Sequence, residues 1–260
     1  MTASLAVSIV CKDAVKTLPA VLDSVRGMGS VVALDSGSSD GTLELLASAR
    51  AGVERVPWEG YLATKQRALE ACADADWVLC LDADEPVEPD LAASIRRVLE
   101  EDPAGVAGFE VNRKIFYRGR FLEHAWQPEW RLRLVRGADV RTGASKWTGV
   151  DPHPYLGVAG RVERLAGTLR HDAFETFAQF LERQVRHARD SARALHAQGK
   201  RGRVSRLIFS PLSEFLKQAV VRGAWRDGAP GWMAAGSSAA ASLLKHVMLI
   251  ELSRGDDRGG

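Results

Sequence analysis

The stretch W-V-L-C-L-D-A-D-E, residues Trp77 to Glu85, decides the fold. Five apolar residues run without a break into Asp82, and Ala83 alone separates Asp82 from Asp84. A continuous apolar run of this length reads as a strand buried on both faces. Ending on acids, it delivers them to the carboxyl edge of the sheet, where open α/β folds place ligands. Carboxylates there are hard oxygen donors, suited to Mg²⁺ or Mn²⁺ carrying a diphosphate. The D-x-D pattern alone is weak, because Pro86 and Pro89 equally suit the start of a solvated turn.

Reading outward, strand and helix signals alternate. Residues 5–10, 31–34, 53–56 and 77–81 have strand character; residues 15–26, 42–50, 62–73 and 89–101 have helical character, the first with Leu18, Val21, Leu22 and Val25 on one face. Such alternation predicts right-handed crossovers and a mainly parallel sheet with flanking helices. The loop D-S-G-S-S-D-G-T, residues 35–42, follows the second strand. Gly37 and Gly41 permit tight turns, and Asp40 or Thr42 can cap the next helix. Asp35 ends its strand as Asp82 ends its own. Two acidic strand ends describe a cleft for a nucleotide beside a metal-bound diphosphate.

Composition bounds the class. The 260 residues are 46% hydrophobic, enough for one α/β domain with an appendage or for two small domains. Cys11, Cys72 and Cys80 lack metal-like spacing and read as reduced core thiols of a cytosolic protein. The N-terminal residues lack a signal-peptide pattern, so secretion is not expected. Residues 1–110 hold 9 Lys+Arg against 19 Asp+Glu, a charge of −10; residues 111–260 carry +12. The basic half predicts an anionic surface or substrate. No nucleic-acid-binding signature accompanies it, which argues against DNA or RNA as that partner.

Several segments together resemble family 2 glycosyltransferases of the GT-A fold: V-S-I-V-C-K-D at the first strand, V-A-L-D-S-G-S-S-D-G-T at the second, P-W-E-G-Y-L-A-T-K-Q-R-A-L at 57–69, and W-V-L-C-L-D-A-D-E. W-Q-P-E-W-R-L-R-L at 126–134 is similar to the acceptor-side segment of the branch that builds lipopolysaccharide cores. The resemblance implies an inverting, metal-dependent hexosyltransferase using a nucleotide-diphosphate sugar, a UDP-sugar by preference. It implies that Asp35 meets the uracil or ribose, that Lys12 and Lys65 lie near base or phosphates, that Asp82 binds ribose or metal, and that Asp84 is the direct ligand of Mg²⁺ or Mn²⁺. Singly, Lys12 and Lys65 read equally well as solvated lysines.

Transfer also needs a base for the acceptor hydroxyl. In this branch the acid of the W-x-P-D-like segment is the expected base, here Glu129, one methylene longer; Glu85 is the reserve. For either glutamate the alternative is a surface salt bridge. Arg131 and Arg133 alternate with Leu132 and Leu134 on the polar face of a strand, where forked hydrogen bonds could hold diphosphate or an anionic acceptor, although solvated strand arginines are commoner. His153, in V-D-P-H-P-Y-L, and His171, in L-R-H-D, are the two late positions that would complete a metal site, with a structural role for His153 at least as fitting.

The last ninety residues change character. Residues 174–198 form an apolar stripe at helical spacing with Phe174, Phe177, Leu181 and Val185; K-R-G-R-V-S-R is a basic linker; residues 211–222 form an apolar, basic helix. Residues 232–252 reach spanning length but include Lys245, His246 and Glu251, against a single transmembrane span. These helices are expected to lie on an anionic membrane, or else to pair with one another or a second copy. The expected organisation is a catalytic domain over 1–172, split at 110 into nucleotide-sugar and acceptor-side halves, and a helical extension over 173–260. The expected function is sugar transfer to a glycan or glycolipid acceptor at the cytoplasmic face of an inner membrane. Two rivals stand beside it: a sugar-phosphate nucleotidylyltransferase, which the glycine-free C-K-D-A-V-K after the first strand disfavours, and a non-catalytic membrane-bound relative.

Overall fold

The computed structural model describes residues 2–151 and 154–256. They divide into two compact units, the first comprising residues up to Lys114 together with Glu129–Asp172, the second Ile115–Pro128 with the residues from Ala173 onward.

In the first unit, β1 (Leu5–Cys11), α1 (Leu18–Ser24), β2 (Ser30–Asp35), α2 (Thr42–Ser48), β3 (Gly52–Arg55), α3 (Tyr61–Glu70), β4 (Trp77–Asp82) and α4 (Pro89–Glu101) alternate as the periodicity predicts. β1 pairs in parallel with both β2 and β4, and β2 with β3. The chain then changes direction. Beyond β5 (Val106–Tyr117) and β6 (Arg120–Phe121), β7 (Trp130–Arg136) inserts antiparallel between β4 and β5. After α5 (Gly137–Arg141) and a β8–β9 hairpin (Ser145–Thr148, Tyr155–Val158), β10 (Arg161–His171) completes a sheet ordered β10-β5-β7-β4-β1-β2-β3, with β6 paired to β5. This is the mainly parallel α/β sheet expected, extended by antiparallel strands that strand–helix alternation does not announce.

Alternating residues of β1 and β4 supply two cores. Val7, Ile9, Trp77 and Leu79 pack with Leu18, Val21, Leu91 and Ile95 on one face. Ala6, Val78 and Cys80 pack with Leu69, Cys72 and Trp147 on the other. Burial on both faces is why β4 reads as an unbroken apolar run. The helix α4 begins with Pro89 in its first turn, where a missing N–H costs nothing, and buries Leu91, Ala92, Ile95, Val98 and Leu99. At Gly167 (φ +106°) a Cβ would lie 2.4 Å from the Leu91 backbone nitrogen, so only glycine lets β10 approach α4 this closely. Cys11, Cys72 and Cys80 are buried free thiols, and burial first of all pushes them up to about 12, 11 and 12, so they stay protonated.

The second unit is helical: α6 (Phe177–Ala197), α7 (Ser205–Leu216) and α8 (Ala229–Asp256), with a π-helical turn at Lys217–Val221 and a 3₁₀ turn at Ala224–Asp227. A capping box joins Thr176 and Gln179 at the start of α6. Sequence reasoning assigns residues 115–128 to the acceptor-side half; here they belong to this unit. Ile115, Tyr117, Leu122 and Ala125 share a core with Phe174, Phe177, Ala224 and Ala234, against which Trp126 and Phe180 also pack. The buried Asp227 carboxylate accepts from three successive backbone N–H groups, those of Glu123 (3.1 Å), His124 (3.0 Å) and Ala125 (2.7 Å). By length and composition, Ala229–Arg254 of α8 is long and apolar enough to cross a membrane; it packs against α6 and α7.

Candidate active site

Register fixes the edge at which the acids collect. β1 pairs Cys11 with Asp35 on one side and Val10 with Asp82 on the other. The two acidic strand ends therefore lie two strand spacings apart, about 10 Å, on one carboxyl edge.

Around Asp82 the charges form a continuous chain. Lys65, in the second turn of α3, pairs with Asp82. From β7, Arg133 Nη2 donates to Asp82 Oδ2 at 3.1 Å and to Glu85 Oε1 at 2.6 Å. Arg113 on β5 donates from Nη1 to the same Glu85 oxygen at 2.9 Å, and from Nε and Nη2 to the two oxygens of Glu129 at 3.1 and 2.7 Å. Arg131 closes the series on Glu129 Oε1 at 2.6 Å. Four cations thus alternate with three carboxylates from Lys65 to Arg131. The Trp147 ring flanks the first of them, with Lys65 Nζ 4.7 Å and the Arg133 guanidinium 5.9 Å from its centroid.

The electrostatics follow from these contacts. Burial would raise the Asp82 carboxyl, but Lys65, then Arg133, outweigh it and hold it well below the usual carboxylate range. Burial opposes ionisation of Glu129 too; hydrogen bonds and charge from Arg113, followed by Arg131, bring it down to about 2. For Arg113 and Arg133, burial disfavours the cation, and the charge of Glu85 foremost restores it and keeps both protonated.

Glu85 and Glu129 differ in access. Glu85 is fully buried; Oε1 receives both arginines and Oε2 accepts from the Asp82 backbone N–H at 3.1 Å. It clamps the turn after β4 and presents nothing to an acceptor. The Glu129 side chain remains 22% exposed.

Asp84 belongs to a second group. The turn after β4 runs beside β10: Val87 bridges Leu169, the Pro86 carbonyl accepts from Arg170 N–H at 2.9 Å, and the Asp84 carbonyl from Asp172 N–H at 2.9 Å. This brings His171 Nε2 to 3.5 Å from Asp84 Oδ2. Asp82 spends both oxygens on cations, whereas the Asp84 carboxylate, 31% exposed, faces an imidazole. Asp84 and His171 fit a divalent ion as one hard and one borderline donor. Among the described residues no group of three or more His, Cys, Asp or Glu side chains could hold a metal. His153 lies outside the described residues.

The other nucleotide-side residues stand apart. Asp35 is fully buried and accepts from Gly37 N–H at 3.1 Å, Ser38 N–H at 3.0 Å and the Ser38 hydroxyl, with Gly37 at φ +93° allowing the turn. Its carboxylate shapes the loop that ends β2. Lys12 is exposed just past β1.

Arg113 and Trp147 belong to none of the motifs that mark the site in the sequence. Arg113 does leave a trace: V-N-R-K-I interrupts an apolar strand with three polar residues, more than a one-sided alternation explains. Trp147 leaves none, because its role depends on a hairpin folding back beneath α3.

A β/α layer that gathers acids and bases at its carboxyl edge, continued by antiparallel strands, defines the GT-A class of α/β protein. Residues 6–150 match the model for Glycosyl transferase family 2, more than half of the chain, and the chain belongs to that family. It is 29% identical over 255 residues to the lipopolysaccharide core biosynthesis glycosyltransferase LpsC of Rhizobium meliloti (strain 1021), covering 94% of this chain and 90% of that protein. An uncharacterized glycosyltransferase of Rickettsia typhi is 25% identical over 252 residues, covering 94% and 86%. A solved glucosyl-3-phosphoglycerate synthase from Mycobacterium tuberculosis, in complex with Mn²⁺, uridine diphosphate and glucosyl-3-phosphoglycerate, is 27% identical with a TM-score of 0.35; the match spans 45% of each chain, less than half of that structure's length.

Proposed function

We propose that the chain transfers a sugar from a nucleotide-diphosphate donor, a UDP-sugar by family resemblance, to a hydroxyl of a lipopolysaccharide-core or lipid-linked glycan, inverting the anomeric centre. The observation that carries this reading is Asp84 facing His171 beside the cationic series from Lys65 to Arg131. The similarity to LpsC over almost its whole length supports the acceptor class.

A divalent ion on Asp84 and His171, when bound, neutralises the charge that develops on the departing diphosphate. Lys65 and Arg133 hold Asp82 ionised and fix the floor of the donor cleft. The acceptor hydroxyl oxygen bonds to the anomeric carbon as the bond from that carbon to the diphosphate oxygen breaks, with the electron pair leaving on the phosphate. The hydroxyl proton passes to Glu129. A carboxylate held near 2 is a weak base, but the oxygen becomes strongly acidic as its new bond forms, so late transfer suffices. With no covalent enzyme intermediate, an α-linked donor gives a β-linked product. We further infer that the enzyme works at the cytoplasmic face of the inner membrane, held through its C-terminal helices, where an acceptor of this class would be met.

The test is a screen of UDP-sugars against core-type acceptors, with product configuration read by NMR. Glu129→Gln is expected to lower kcat about 10²–10⁴-fold while leaving donor affinity unchanged. Wild-type turnover with retention, or a Glu129→Gln enzyme of full activity, would contradict the mechanism.

A further inference from the structure

The helix α7 is amphipathic, yet none of its residues is buried. Val204, Ile208, Leu212, Leu216 and Val220, spaced four apart, form a row along the helix and its π-helical continuation, with exposures of 62, 65, 52, 46 and 65%. Phe209 (67%), Val221 (81%) and Trp225 (51%) widen it. Its other side carries the contacts to α8, where Phe215 stacks on Trp232 with ring centroids 6.1 Å apart. The exposed row is therefore an apolar face with nothing over it among the described residues, too long to be the scattered exposure of an ordinary surface.

Charge identifies what covers it. From Lys200 to Arg226 there are seven Lys and Arg and one acid, Glu214. Arg201, Arg203, Arg206, Lys217 and Arg226 are exposed at the two ends of the row. An apolar stripe with cations at its ends suits a bilayer with anionic headgroups, the stripe among the acyl chains and the cations at the phosphates. A second copy suits it less well, because a two-fold pairing of this face would set each basic end against basic side chains of the other copy.

We propose that α7 and the turns through Trp225 form the membrane-docking element of this chain, lying parallel to an anionic leaflet with Ile208, Phe209, Leu212 and Trp225 inserted. It rests on the membrane association proposed above and assigns it to one face of one helix. Residues on α8 that stay exposed, such as Met233 and Leu243, are not required.

The test is co-sedimentation of the full chain with vesicles of phosphatidylcholine, alone or with about one-third phosphatidylglycerol. Wild type is expected to bind the anionic vesicles at least about tenfold more tightly and to lose that preference as salt rises. The paired substitutions Phe209→Glu and Leu212→Glu, on exposed positions, should lower binding about tenfold or more while the circular dichroism spectrum and nucleotide binding stay as in wild type. If wild type ignores both vesicle types, membrane association itself fails. Undiminished binding by the double variant would leave membrane association standing and overturn the assignment to α7. A concentration-dependent dimer that the substitutions dissolve, without vesicle binding, would make a second copy the occupant.

Discussion

Glu129 stands between two arginines, and its pairing sets both its chemistry and its effect on stability. In the folded chain it titrates at about 2, against 4.5 when free of partners. A folded value below the unfolded one stabilises the fold above pH 4.5, and that stabilisation disappears as pH falls from about 4.5 towards 2. The shift corresponds to at most on the order of 3 kcal/mol, since the side chain keeps some solvent contact. Acid denaturation followed by fluorescence should therefore show Glu129→Gln losing part of the wild-type decline between those pH values; an unchanged profile would mean that the Arg113 and Arg131 pairs contribute nothing. At this scale the sequence was legible where a residue ends an element. Asp35, Asp82 and Asp84 were readable because strand length and period place them at the edge. Arg113 was not, because its two carboxylate partners come from the turn after β4 and from the start of β7, and no local spacing encodes that meeting. Arg133 was readable as a strand arginine, but its burial against Asp82 and Glu85 follows only once β7 is known to lie beside β4.

At the scale of elements, the parallel β/α half was legible almost to its boundaries, because apolar runs and 3.6-residue stripes are local signals. The helix at 89–101 matches α4 at both ends. The antiparallel insertion of β7 and the transfer of residues 115–128 to the helical unit were not legible, since both depend on pairings far apart in the chain. Asp227 shows the point: nothing near W-R-D-G announces a carboxylate that satisfies the backbone of residues 123–125. Replacing it, Asp227→Ala, strips three N–H groups of their acceptor and should cost about 3 kcal/mol. Thermal unfolding should then shift down by roughly 6–12 °C. Asp227→Asn, which keeps one acceptor oxygen, should recover part of that loss; if the alanine variant melts with wild type, the segment holds its shape without this carboxylate.

Across the whole molecule, the division of charge seen in the sequence acquires two separate uses. The candidate catalytic and donor-binding groups with described positions lie in the first unit, while the exposed apolar face with its basic ends lies in the second. The donor site proposed for the first unit would account for the first arrangement, and the bilayer proposed for α7 would account for the second. Donor binding as proposed depends on Asp84 and His171 holding a metal that carries a nucleotide diphosphate. Calorimetric titration of UDP into the folded chain, with and without Mn²⁺ or Mg²⁺, measures this directly. UDP binding that requires the ion, and that Asp84→Ala and His171→Ala each weaken by at least about tenfold, is the predicted result. Binding that is indifferent to the ion and to both substitutions, or no nucleotide binding by folded wild type, would contradict the account.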